Sequence, residues 1–174
     1  SLTTPREYLH FASNRDWWQG SLQGALGIAF ALHMGLFFLF RFRGFLWYSL
    51  FLASVMTMQV SWNGYLLPYF ENSTLLLDRQ ILTPIYLAVL FSALFAKTLL
   101  KTRKRVRWQD HLFTGMAAAS LAGAVGTWLM EPRLNSILAS GLAMFSIMLI
   151  FMATLHANME GHRMARHFLL ARTA

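Results

Sequence analysis

Three histidines crowd the end of this chain, HANMEGHRMARHFLLARTA (156–174), and a fourth, His33, stands alone inside a long apolar run. Imidazoles so placed raise the question of haem or metal chemistry. An axial pair for a b-type haem needs two imidazoles at matching depth on facing helices, and the candidate set is His33 with His111 or His156. None of these has a second histidine beside it of the kind that would hold two stacked haems. His162 and His167, with four residues between them, have the spacing of one histidine box of a membrane di-iron site. That chemistry takes about eight histidines, whereas this chain has six, and residues five apart on one helix point roughly 140° apart. Zinc held by His156, Glu160 and His167 needs a bend, for which the sequence offers only Gly161. The expectation is therefore no metal and no cofactor, with haem as the alternative.

The other polar groups within apolar runs are Gln23, Gln59 and Asn135. Each costs free energy at membrane depth unless it finds a partner or faces a cavity, which makes it a candidate site residue. No carboxylate lies in the middle of any run, which argues against a proton-coupled pump. Trp62, Asn63, Tyr65 and Tyr69 gather aromatic and amide groups at one boundary, where they are candidates for ligand contact or simply an interfacial belt. The chain has no cysteine, which removes disulfides, thiolate metal sites and iron–sulfur clusters.

The elements that must position these residues follow from composition. With 56% apolar, 15% aromatic and 13% charged residues, the chain is too apolar for a water-soluble domain of its 174 residues. The expected fold class is all-α, a polytopic transmembrane helix bundle with five spans at about 18–40, 44–67, 81–100, 112–130 and 134–156. Residues 1–17 form an external segment and 157–174 a basic cytoplasmic segment in which FLLA (168–171) would open a sixth span. Lys and Arg resist translocation, and eleven of the fifteen flank one side of the spans: Arg41, Arg43, Lys97, Lys101, Arg103, Lys104, Arg105, Arg107, Arg163, Arg166 and Arg172. The N-terminus is expected outside and the C-terminus in the cytoplasm. This asymmetry accounts for the net charge of +8 without nucleic acid. Lys101, Arg103, Lys104, Arg105 and Arg107 are suited to anionic lipid headgroups. Loops this short leave no room for a catalytic domain between spans. Small-residue stripes at Gly20, Gly24 and Gly27, and at Gly115, Ala119, Gly123 and Gly126, suit close helix approach within one bundle. Pro84 is expected in the first turn of the third span, where it disturbs nothing.

Three stretches carry a resemblance. GALGIAFALHMGLFFLFRFRGFLWYSLF, QVSWNGYLLPYF and EGHRMARHFLLA are similar to the membrane portion of bacterial seven-transmembrane receptors with diverse intracellular signalling modules, the 7TMR-DISM family. The respective features are a small-residue-rich first helix with a short basic turn, a polar residue and glycine before an aromatic exit (Asn63, Gly64), and a glycine, basic, Ala-Arg, aromatic, Leu-Leu-Ala segment. The resemblance implies a multi-pass protein of the bacterial inner membrane, a periplasmic sensor before the first span, seven spans, and a cytoplasmic signalling module as output. It assigns no catalytic residues. Five spans, sixteen residues before Trp17 and no kinase or cyclase motif lead to the expectation of a fragment or a shortened relative. The function expected is a non-enzymatic signal relay. The alternatives are a b-type haem electron-transfer subunit and a non-catalytic subunit of a membrane complex, where a partner chain would use the small-residue stripes.

Overall fold

The computed structural model describes the backbone of residues 5–63, 74–100 and 107–159, and the side chains of residues 17–63, 81–100 and 108–156. Five helices follow one another: α1 (Pro5–Phe40), α2 (Arg43–Trp62), α3 (Thr74–Leu100), α4 (Arg107–Gly126) and α5 (Pro132–Met159). No strand occurs among the described residues. α3 is the hub, packed against α2, α4 and α5, while α1 rests chiefly on α2.

The core lies along α3. Val89, Ala93 and Ala96 meet Phe113 and Met116 of α4 and Leu149 and Ala153 of α5, all buried. A second cluster joins Leu82 and Tyr86 to Ala139. Alanines on α3 and α5 let the backbones approach, which is how helices associate where lipid removes the hydrophobic drive. The outward faces are apolar too, with Phe38, Leu39, Leu129, Ile137, Met144 and Met148 all exposed. In water that surface would be a liability; against acyl chains it carries no penalty.

The connections are local chemistry. α1 and α2 are joined by Arg41 and Phe42 alone, and Arg41 takes φ 50, the left-handed region that a side chain adopts at some cost. Its N–H still donates to the Phe37 carbonyl at 2.8 Å, closing the last turn of α1. Gly44 is buried beneath the Phe42 ring, which occupies the space a Cβ would need. At the other short turn, the N–H groups of Leu129 and Met130 both donate to the Gly126 carbonyl, at 2.9 and 2.8 Å. Pro132 then opens α5 at the first helical position, where its missing N–H has no bond to lose.

Four helical segments are long and apolar enough to cross a membrane: Trp17–Phe40, Arg43–Trp62, Ile81–Leu100 and Pro132–His156. α4 is less apolar, because alanine and glycine replace the larger aliphatics along it. Its path nevertheless follows α3: Asp110 meets Lys97 near one end and Gly123 meets Tyr86 near the other. Eleven residues of α3 separate those contacts, about 17 Å of helix rise, so α4 covers the same depth as its neighbour.

Several boundaries differ from the sequence reading. α1 begins at Pro5, although its membrane-length apolar stretch, Trp17–Phe40, starts where the first span is expected, and α2 ends at Trp62 with Asn63 as its cap. α3 begins at Thr74, so Pro84 lies inside the helix, not in its first turn; its ring removes one N–H from the ladder. α4 stops at Gly126, not Met130, because the Thr127 to Met130 backbone folds back on Gly123, Val125 and Gly126. The small-residue stripes are used only in part. Gly27 meets Met56 and Gly123 meets Tyr86, whereas a Cβ at Gly20, Gly24 or Gly115 would touch nothing, and Ala119 is exposed.

Candidate functional site

Tyr86 sits at the middle of α3 with its ring laid against Gly123 of α4, where a Cβ would collide with it. From there its hydroxyl reaches α5, donating to Asn135 Oδ1 at 2.7 Å, with the Asn135 carbonyl oxygen at 3.3 Å. Tyr86 is 2% exposed and Asn135 1%. Three helices are therefore pinned by one side chain. Thr127, also buried and just beyond α4, ties back to its last turn, its hydroxyl donating to the Gly123 carbonyl at 2.9 Å. The pin is incomplete in one respect: Asn135 Nδ2 is buried and has no partner. An orphaned amide donor in an apolar shell costs about 1–3 kcal/mol, so this arrangement leaves Asn135 something to gain in another.

Near the C-terminal end of α3, Lys97 Nζ lies 3.2 Å from Asp110 Oδ1 of α4 and donates to Thr114 Oγ1 at 2.7 Å. Thr114 in turn donates to the Asp110 carbonyl at 2.6 Å. The two charged side chains are 30% and 18% exposed, so solvent screens the pair and its contribution is modest, about 0–1 kcal/mol. Next to it, Gln109 is buried with Nε2 unpartnered. α3 is thus tied to α4 at its middle and near its C-terminal end, and to α5 through Tyr86.

α1 is joined to α2 by looser means. Gln23 Nε2 donates to the Met56 carbonyl at 3.4 Å, while its Oε1 is buried without a partner. His33 Nδ1 donates to the Ala29 carbonyl at 2.7 Å, one turn back on α1, so Nδ1 carries a hydrogen. The imidazole packs on the Tyr48 ring at 4.5 Å between centroids. His33 is half-buried; His111 and His156 are exposed on α4 and α5, helices that do not pack substantially on α1. The three candidate haem ligands are not brought together. Among the described residues no group of three histidine, aspartate or glutamate side chains converges.

Gln59 is half-buried and its carbonyl accepts the Asn63 N–H at 2.9 Å, which makes Asn63 the cap of α2. Trp62 is exposed beside it. Tyr65 and Tyr69 lie outside the described residues, as do Lys101, Arg103, Lys104, Arg105, His162 and His167; Arg107 opens α4, but its side chain is outside the described set. Tyr86, Gly123 and the Lys97–Asp110 pair were not among the candidate site residues. The available signal was a tyrosine in the middle of an apolar run, a polar-tipped ring that must find a partner when buried.

Over residues 15–174 the chain matches the family described as 7TM diverse intracellular signalling. It belongs to that family. The match covers α1 from Arg15 through the last residue, so the helices, the Tyr86 pin and the Lys97 clamp all fall within it. Neither curated proteins nor solved structures include a match to the chain. Membership and the apolar helices together make this a multi-pass membrane protein and a transmembrane module of a signalling family.

Proposed function

We propose that the bundle relays an external stimulus to a cytoplasmic signalling module or partner subunit, without catalysis or a cofactor of its own, from the inner membrane of a bacterium. The N-terminus lies outside and the C-terminus in the cytoplasm. The basic run Lys101, Arg103, Lys104, Arg105 and Arg107 anchors the inner ends to anionic headgroups.

One observation carries the reading. The buried Tyr86–Asn135 bond joins α3 to α5 while leaving Asn135 Nδ2 orphaned, and α3 is clamped to α4 at its far end by Lys97 and Asp110. Relay needs two helix arrangements within a few kcal/mol, each favoured by a different ligand state. A central helix fastened by few polar contacts, one of them unsatisfied, has that character. The apolar remainder of each interface slides at little cost compared with breaking a buried hydrogen bond.

Electron–electron distance measurements test it. Because the chain has no cysteine, single spin labels go in cleanly at Leu100 and His156, the far ends of α3 and α5. Asn135→Ala removes the pin, and the expected result is a shifted or second distance population at that far end. An unchanged single population in the variant overturns the relay through α3.

A further inference from the structure

Alongside the C-terminal half of α3, α2 and α5 leave between them a cavity of about 560 Å³. That volume lies within the range of roughly 300–1,000 Å³ typical of small-molecule sites. Tyr48 and Phe51 of α2 and Phe95 of α3 supply aromatic wall, and Ala88, Ala96 and Ala143 make the space. No aspartate, glutamate, lysine, arginine or histidine lines it; the polar groups are the hydroxyls of Tyr48, Ser92, Ser146 and Thr154.

One of these hydroxyls behaves unlike its neighbours. The other buried serines and threonines, namely Ser49, Ser54, Ser61, Ser120, Thr127 and Thr154, all donate to the carbonyl one turn back, at 2.7 to 2.9 Å. Ser146 is equally buried, 3% exposed, near the middle of α5, and its bond goes instead to Ser92 Oγ at 3.4 Å. Ser92 already spends its hydrogen on the Val89 carbonyl at 2.9 Å, so Ser146 is the donor in that contact. A separation of 3.4 Å is well beyond the ordinary O–H···O range of about 2.5–3.0 Å. The Ser146 hydroxyl is therefore held at the cavity wall with its acceptor side free and its donor side weakly engaged.

We infer that this cavity binds an uncharged, largely hydrocarbon molecule carrying a hydroxyl or carbonyl group, drawn from the lipid phase and held at that oxygen by Ser146 and Ser92. A charged head would be desolvated at mid-bundle with no counter-charge on the lining. A plain hydrocarbon fills the volume but leaves Ser146 as it is. The site does not depend on the relay reading: binding is measured directly, whether or not the helices move.

Photolabelling of the full chain in lipid nanodiscs with a diazirine-bearing decanol tests the inference, with decanol, decanoate and decane as competitors. Labelled peptides are expected from α3 and α5 around Ser92 and Ser146, with decanol competing about tenfold better than either of the other two. Ser146→Ala keeps the packing and should weaken decanol about fivefold to tenfold, the loss of one hydrogen bond. Ser146→Leu, which fills the space, should abolish labelling there, and the alanine variant decides the matter if the leucine variant does not fold. Label spread evenly over lipid-facing positions such as Met144 and Met148 overturns the inference. So does equal competition by all three compounds, wild-type binding by Ser146→Ala, or a cross-link from Ser92 or Ser146 to another segment of protein that fills the groove.

Discussion

Tyr86 and Gly123 form a matched pair, and the match is sharp enough to predict from. The Tyr86 ring occupies the position of any Cβ at residue 123, and the ring is itself fixed by its bond to Asn135. Gly123→Ala must therefore push apart α3 and α4 or break that bond, at about 1–3 kcal/mol by analogy with other overpacked cores. Thermal unfolding in detergent should show the loss, and in a Tyr86→Leu background, which already lacks both the ring and its bond, Gly123→Ala should cost much less. If Gly123→Ala costs as much in that background as in the wild type, the contact is not what limits residue 123. Tyr86→Phe keeps the ring but leaves the Asn135 oxygen buried and unpaired, again about 1–3 kcal/mol. Asn135 was legible in the sequence as an amide within an apolar run. Its partner was not, because which of several hydroxyl-bearing residues it meets depends on the azimuth of α3, which a uniformly apolar helix does not reveal.

The same limit explains what was legible among the elements. Long apolar runs announce all five helices, the expected span at 112–130 falling on α4, whereas their ends depend on backbone bonding that the runs do not encode. Arg41 is the clearest case, since nothing in FRFRGF marks the first arginine for a left-handed φ. Arg41→Gly should raise stability by about 1 kcal/mol by relieving that conformation, and Arg41→Val, β-branched, should lower it; unfolding midpoints that move in the opposite order sink the assignment. Between α3 and α4, a double-mutant cycle on Lys97→Met and Asp110→Leu should return a coupling of about 0.2–1 kcal/mol, the worth of a partly exposed pair. A coupling of zero means the pair does not hold the helices together. In the sequence the basic residues read as topology signals and, at Lys101 to Arg107, as headgroup contacts; Lys97 has in addition a structural partner, Asp110, on the next helix.

For the whole molecule the open question is parity. Four segments are apolar enough to cross unaided, and with four crossings both termini would share a side; α4 decides the matter. Its two contacts with α3, Lys97 to Asp110 and Tyr86 to Gly123, hold it alongside a spanning helix over about 17 Å, and a polar backbone at that depth must be helical and buried in protein or lipid. On the proposed reading five crossings separate the termini, and the eleven basic residues on one side against four on the other put the N-terminus outside. Trp17 and His156 are both exposed, near opposite ends of the bundle, in a chain with no native cysteine. A membrane-impermeant maleimide applied to spheroplasts should label Trp17→Cys directly and His156→Cys only after permeabilisation. The reverse pattern inverts the orientation, and labelling of both without permeabilisation removes α4 from the spanning set; either result also removes the cytoplasmic end through which the relay is proposed to act.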